Sequence, residues 1–258
     1  MVFRLKDYII ICSGMFLSVS LLAEVPRLKE ATDLYRQGKF EDSLNVVRSI
    51  FEEHKGVYEV RLLAGSNHAR LGNTDSSIQH LRAAIKEHPD RIEARGILSV
   101  ILRNNGKYKE SVAVARSGLE KKPDDEGLHL EVARGLIKLG EYAAARKSLD
   151  RIIAKNAHHF EAVLLDGLIY LRQKNYDNAE FRLRNALKIR PEKSPLLADL
   201  YNNLAFALEK IGDVHAKTGN TAQAKTNYAE AGQFYTEALK AEDIPAIKEN
   251  QARLQKKL

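Results

Sequence analysis

Residues 160–191 read FEAVLLDGLIYLRQKNYDNAEFRLRNALKIRP. Apolar and small side chains fall at i, i+3, i+4 and i+7 in two blocks. Gly167 and Tyr170 mark the first block; Ala179, Leu183 and Ala186 mark the second, and Pro191 closes it. The polar stretch between the blocks is a turn, so the segment predicts two amphipathic helices folded back on each other.

The same design recurs along the chain. Turn glycines stand at Gly38, Gly72, Gly106 and Gly140, each 34 residues after the last. Prolines echo that period at Pro89, Pro123 and Pro191, with Ala157 in the slot between the last two. A fixed period of this size identifies a stacked repeat array. It frames five units, 24–57, 58–91, 92–125, 126–159 and 160–193. A small residue recurs in the first helix as Ala31, Gly65, Ser99, Ala133 and Gly167, and early in the second as Ser43, Ser77, Ser111, Ala145 and Ala179. Four residues later a wedge follows as Val47, Leu81, Ala115, Leu149 and Leu183.

This pattern resembles the tetratricopeptide repeat family, whose unit is a helix A, a tight turn and a helix B. The resemblance covers 24–241 and implies an all-α, right-handed solenoid of about six helix pairs with a capping helix. The family's tryptophan is missing throughout, and Ala115 is smaller than the usual wedge. A further family variant clamps carboxylates with a Lys and an Asn four apart on helix A. Here those slots hold Leu28 and Thr32, then Leu62 and Ser66, so that clamp is absent.

After Pro191 the period slips, and residues 194–244 contain two turn signals, Gly212-Asp213 and Gly219-Asn220. Ala224, Tyr228 and Ala231 are echoed seven residues on by Ala231, Tyr235 and Ala238. The economical expectation is an elongated sixth hairpin with both helices longer by seven residues, its corner at Gly219 and its second helix ending near Ala241. A rival keeps Gly212 as the corner and makes 214–217 a short extra turn. Residues 245–258 read as a charged capping helix with Ile247 and Leu254 seven apart, because terminal repeats need a polar outer face.

At the N-terminus, Arg4 and Lys6 precede an apolar stretch from Ile9 to Ala23. Residues 1–23 therefore read as a cleaved export signal, or alternatively an uncleaved membrane anchor. Cleavage after Ala23 and after Ser20 are both open. Export makes a periplasmic location the expectation. The one cysteine, Cys12, lies inside that segment, so if the signal is removed the mature protein has neither thiol nor disulfide.

The 258 residues carry a net charge of +7 with both signs interspersed, and no basic block resembles a nucleic-acid arm. No phosphate loop, zinc-protease helix or nucleophile elbow is present. His158-His159 lacks a third ligand at helical spacing and reads as a loop pair. No metal, cofactor or catalytic residue is expected, which leaves a surface as the bearer of function. In the family arrangement helix A lines a concave groove. One row there holds Arg36, Arg70, Asn104, Lys138 and Arg172, with Arg103 and Arg134 beside it. These cations suit carboxylates, although a charge row is commonly a solvated face. A second row, Leu130, Ile137, Leu164, Leu168 and Leu171, would seat an amphipathic helix if exposed and otherwise packs between helices. The expected function is a protein-binding scaffold of the cell envelope that takes an acidic or amphipathic segment. The alternatives are a carrier or holdase for exported polypeptides and an accessory protein of polysaccharide export.

Overall fold

The computed structural model describes Val25 and residues 27–257; the expected signal at 1–23 lies outside the described residues. Among the described residues there are thirteen helices and no strand. Before Glu141 come α1 (Leu28–Arg36) with α2 (Phe40–His54), α3 (Tyr58–Arg70) with α4 (Thr74–Glu87), α5 (Glu93–Asn104) with α6 (Tyr108–Leu119), and α7 (Glu126–Leu139); after it come α8 (Tyr142–Lys155) and the pair α9 (Phe160–Arg172) with α10 (Tyr176–Lys188). Then follow α11 (Leu197–Lys217), α12 (Thr221–Ala241) and α13 (Pro245–Gln255). The chain divides into two compact units, one ending at Glu141 and the other beginning at Tyr142.

The 34-residue glycines are corners. Gly38, Gly72, Gly106 and Gly140 have φ between +75° and +80°, a left-handed conformation that closes a helix and that glycine enters without a Cβ clash. The amide after each glycine reaches back to helix A: Lys39 to the Leu34 carbonyl, Asn73 to His68 and Lys107 to Leu102, at 2.8–3.0 Å. The fifth corner keeps this closure with Lys174 at φ 59° and Asn175 bonded to the Tyr170 carbonyl at 3.0 Å. A lysine there carries the left-handed cost of about 1 kcal/mol.

In the first unit, small residues let helices A and B meet closely. A Cβ on Gly65 would stand 2.8 Å from Leu81 Cγ, so only hydrogen fits. The small residue of helix B adds a buried hydrogen bond across each pair. Ser43 donates to the Ala31 carbonyl (2.7 Å), Ser77 to Gly65 (2.7 Å) and Ser111 to Ser99 (2.8 Å). Asn67 of α3 donates to the Ser43 hydroxyl at 2.8 Å and ties the second pair to the first. Around these bonds lie continuous apolar clusters, Leu28, Val47, Ile50 and Leu63 in one and Leu62, Leu81, Leu98 and Leu102 in the next.

In the second unit, Ala179 replaces the serine and the close approach is between Gly167 and Leu183, at 2.8 Å from a built Cβ to Cγ. The last hairpin is longer, with 21 residues in each of α11 and α12. Its corner is Gly219 at φ +81°. Gly212 lies inside α11, where a Cβ would come within 2.6 Å of the Tyr228 ring. Its absent side chain thus has a packing reason that outweighs the roughly 1 kcal/mol helix penalty. Packed beside α11 and α12, α13 buries Ile247 and Leu254.

Candidate interaction surface

Helices A of the first unit touch one another in order, α1 with α3, α3 with α5 and α5 with α7. Their last turns present Arg36, Arg70 and Lys138 to solvent, and Arg172 takes the same slot at the end of α9 in the second unit. Each cation lies at a helix C-terminus, where the backbone dipole favours positive charge. Arg70 is held in place by the Phe40 ring, its guanidinium carbon 4.5 Å from the centroid. Arg36 pairs with Asp33 at 3.4 Å in an exposed contact of small energetic weight.

Of the other residues named from sequence, Arg103, Arg134, Ile137, Leu164, Leu168 and Leu171 are buried, while Asn104 and Leu130 are partly exposed. Arg103 and Arg134 both bind Glu131, at 2.9 and 3.1 Å, in a site that all three share away from water. The basic row is therefore of two kinds, exposed cations at the helix ends and buried guanidiniums on a shared carboxylate. Leu164, Leu168 and Leu171 are 1, 1 and 2% exposed, so the apolar row of α9 offers no open area. Among the described residues the large apolar side chains that do face water are Phe181 and Val214, which stand apart on α10 and α11.

Several buried charges escaped the sequence reading. Asp166 is buried between Arg146 at 3.0 Å and Arg182 at 2.9 Å, and Arg146 also stacks on Tyr170. Glu209 is wholly buried and accepts from Arg253 (3.0 and 2.7 Å), Lys257 (2.7 Å) and the Tyr235 hydroxyl (3.0 Å). Asp213, one turn on, accepts from Lys257 at 2.6 Å, Lys210 at 2.9 Å and Tyr228 at 2.9 Å. Burial opposes the charge on both carboxylates, yet hydrogen bonds from these partners outweigh it and hold both below their ordinary range. Conversely, burial and the adjacent Glu209 push the Tyr235 hydroxyl up, keeping it a donor. The spacing of Glu209 to Arg253 and Lys257 has no periodic signature, so only the folded chain brings them together.

His159 has a structural task in the fold: its Nδ1 accepts from the Ala162 amide at 3.2 Å and caps α9. Asp125 caps α7 in the same way through the Leu128 amide at 3.0 Å. Among the described residues, no group of three or more His, Cys, Asp or Glu side chains is placed to hold a metal ion. No described helix is long and apolar enough to cross a membrane.

The profile of the tetratricopeptide repeat family matches residues 62–126 and 130–194, together half of the chain. Among curated proteins, the human protein O-mannosyl-transferase TMTC1 is 25% identical over 178 residues, 61% of this chain and 20% of its own length. The chain thus spans about a fifth of that relative. Among solved structures, a tetratricopeptide repeat protein from Parabacteroides merdae superposes with a TM-score of 0.64 at 15% identity, over 92% of this chain and 99% of its own. YrrB, described as a tetratricopeptide repeat protein with an unusual peptide-binding site, gives 0.56 at 16% identity over 77% of this chain and 98% of its own. At such identities these likenesses concern the fold.

Proposed function

The chain belongs to the tetratricopeptide repeat family, and from that premise we propose that it is a non-enzymatic scaffold holding a segment of a partner protein against its A helices. The observation that carries this reading is the set of exposed cations at one helical slot, Arg36, Arg70 and Lys138, on A helices that touch in succession. A row of fixed positive charge selects carboxylates, so the partner segment is acidic, or amphipathic with an acidic face. The peptide-binding site described for YrrB supports a peptide as the ligand class. The charged and apolar N-terminal segment, Arg4 and Lys6 ahead of residues 9–23, supports export and work in the cell envelope.

The test is crosslinked capture from the native envelope with the chain from Glu24 and with its Arg36→Glu, Arg70→Glu, Lys138→Glu variant. One partner retained by the first, lost at least tenfold by the second and weakened by salt is the expected result. Equal retention by both overturns the basic-row reading. A broad set of unfolded polypeptides held equally by both turns it into the carrier reading.

A further inference from the structure

The imidazoles of His68, on α3, and His80, on α4, lie stacked with centroids 5.5 Å apart and planes 11° from parallel. Phe51, from α2 of the preceding repeat, meets His80 edge-on at 5.1 Å. Three helices and two repeats therefore converge on one pair of titratable rings. Both rings are half-buried, and the His68 Nδ1 is buried without a hydrogen-bond partner.

The charges facing this pair are mostly positive. From α2, Arg48 and Glu41 act on His68; from α3, Arg61 acts on His80 and also lies over the Phe51 ring at 5.6 Å. Glu41 is already shared with Arg48 at 3.7 Å, and α4 supplies Glu87, engaged by Arg61 at 2.6 Å. A proton on either ring thus meets a guanidinium, a second imidazole and an apolar wall, with no carboxylate left to itself.

We infer that the His68–His80 stack is a proton-sensitive joint that closes the first repeat onto the second at neutral pH and opens it on acidification. Burial, then the charge of Arg48, lowers the affinity of His68 for a proton, with Glu41 opposing; burial, then His68 and Arg61, lowers that of His80. The sign follows from linkage. Open or unfolded rings take up protons near the ordinary imidazole value of about 6.5, before the closed rings do. Closure is therefore at full strength above that pH and is lost as pH falls toward the lower values of the closed state. Repeat arrays open locally because each pair leans only on its neighbours. The segment that loosens, α2–α4, contains Arg70 with its Phe40 support. If the basic row binds a partner, acid releases it; that consequence rests on the proposed function, whereas the opening itself does not.

The experiment is hydrogen exchange of the full chain at pH 7 and pH 5, corrected for intrinsic rates, beside imidazole titration by NMR. The opening constant of α2–α4 should rise by about tenfold for each pH unit that the closed-state values lie below the open-state ones, with α9 and α10 unchanged. In the His68→Gln, His80→Gln variant the rise should fall below about twofold. An equal rise in native chain and variant overturns the joint. Should the variant fail to fold, the titration decides alone: both rings must titrate below the free-imidazole value, and either one at or above it refutes the inference.

Discussion

In the second repeat, α3 and α4 meet where Gly65 admits Leu81 and the Ser77 hydroxyl donates to the Gly65 carbonyl. In the last hairpin, α11 and α12 meet where Gly212 admits the Tyr228 ring, and that tyrosine's hydroxyl runs on to Asp213. Glycine makes room at both places, but the filling differs. An interior repeat has a helix pair on either side and completes its packing with aliphatic wedges and small hydroxyls. Among the described residues the last pair meets the single helix α13, and aromatic rings reach through the apolar layer to buried carboxylates that grip that helix. Where apolar area runs short, directional charge-assisted bonds take over part of the holding.

The sharpest way to break this contrast is Glu209→Ala. It leaves Arg253, Lys257 and the Tyr235 hydroxyl around an empty site. Removing one member of a buried ion pair costs about 3–5 kcal/mol, and the partly exposed bases place this case near the lower end. Hydrogen exchange should show α13 losing its protection while α1–α4 keep theirs; loss in both would mean the array folds as one cooperative block. The pH dependence sharpens the same point. The folded Glu209 and Asp213 values are depressed, so the grip is complete above the ordinary carboxylate range of about 4 and fails as pH falls through the lower folded values. At pH 5 the cap therefore holds while the histidine joint weakens.

Next in size is Gly212→Ala, which drives a methyl group to 2.6 Å from an aromatic carbon. Overpacking of this kind costs about 1–3 kcal/mol, less the helix-propensity gain of alanine. A urea titration showing Gly65→Ala, against the more pliable Leu81, to be the costlier of the two would reverse the ranking. Smallest is Ser77→Ala, expected at about 1 kcal/mol because it removes one buried hydrogen bond and leaves the Gly65 carbonyl short of a partner. The second unit already has Ala179 in that slot, so the reciprocal Ala179→Ser should be close to neutral in the same assay.

The fold was legible because its constraints act on single residues at a fixed period. A corner at positive φ asks for glycine, and a close helix approach asks for a small side chain, so both write themselves into the sequence every 34 residues. The fifth corner shows the limit: Lys174 takes the same left-handed conformation with no glycine to announce it. Charge pairs are legible only once folded. Arg103 finds Glu131 28 residues on, as Arg82 finds Glu110, because neighbouring helices meet on a diagonal that the 34-residue register passes over. The cations read straight down the register are therefore exposed, whereas Arg103 and Arg134, set beside that row, are the buried ones. His68 and His80 likewise stand 12 residues apart on facing helices, a spacing that looks like nothing until the helices fold back.

The grip on α13 also has a mechanical side. This helix joins α12 through Glu242–Ile244 and is fastened chiefly by Ile247, Leu254 and the charges at its far end. Under tension applied at the C-terminus, force meets Lys257 and Arg253 first, so the bonds to Asp213 and Glu209 carry the initial load. Once they part, the eleven residues of α13 should unravel as one early step that lengthens the segment by about 20 Å, its extended span less the length of the helix. The hairpin behind it then takes the pull, and the charged end acts as a fuse that yields before the repeats do.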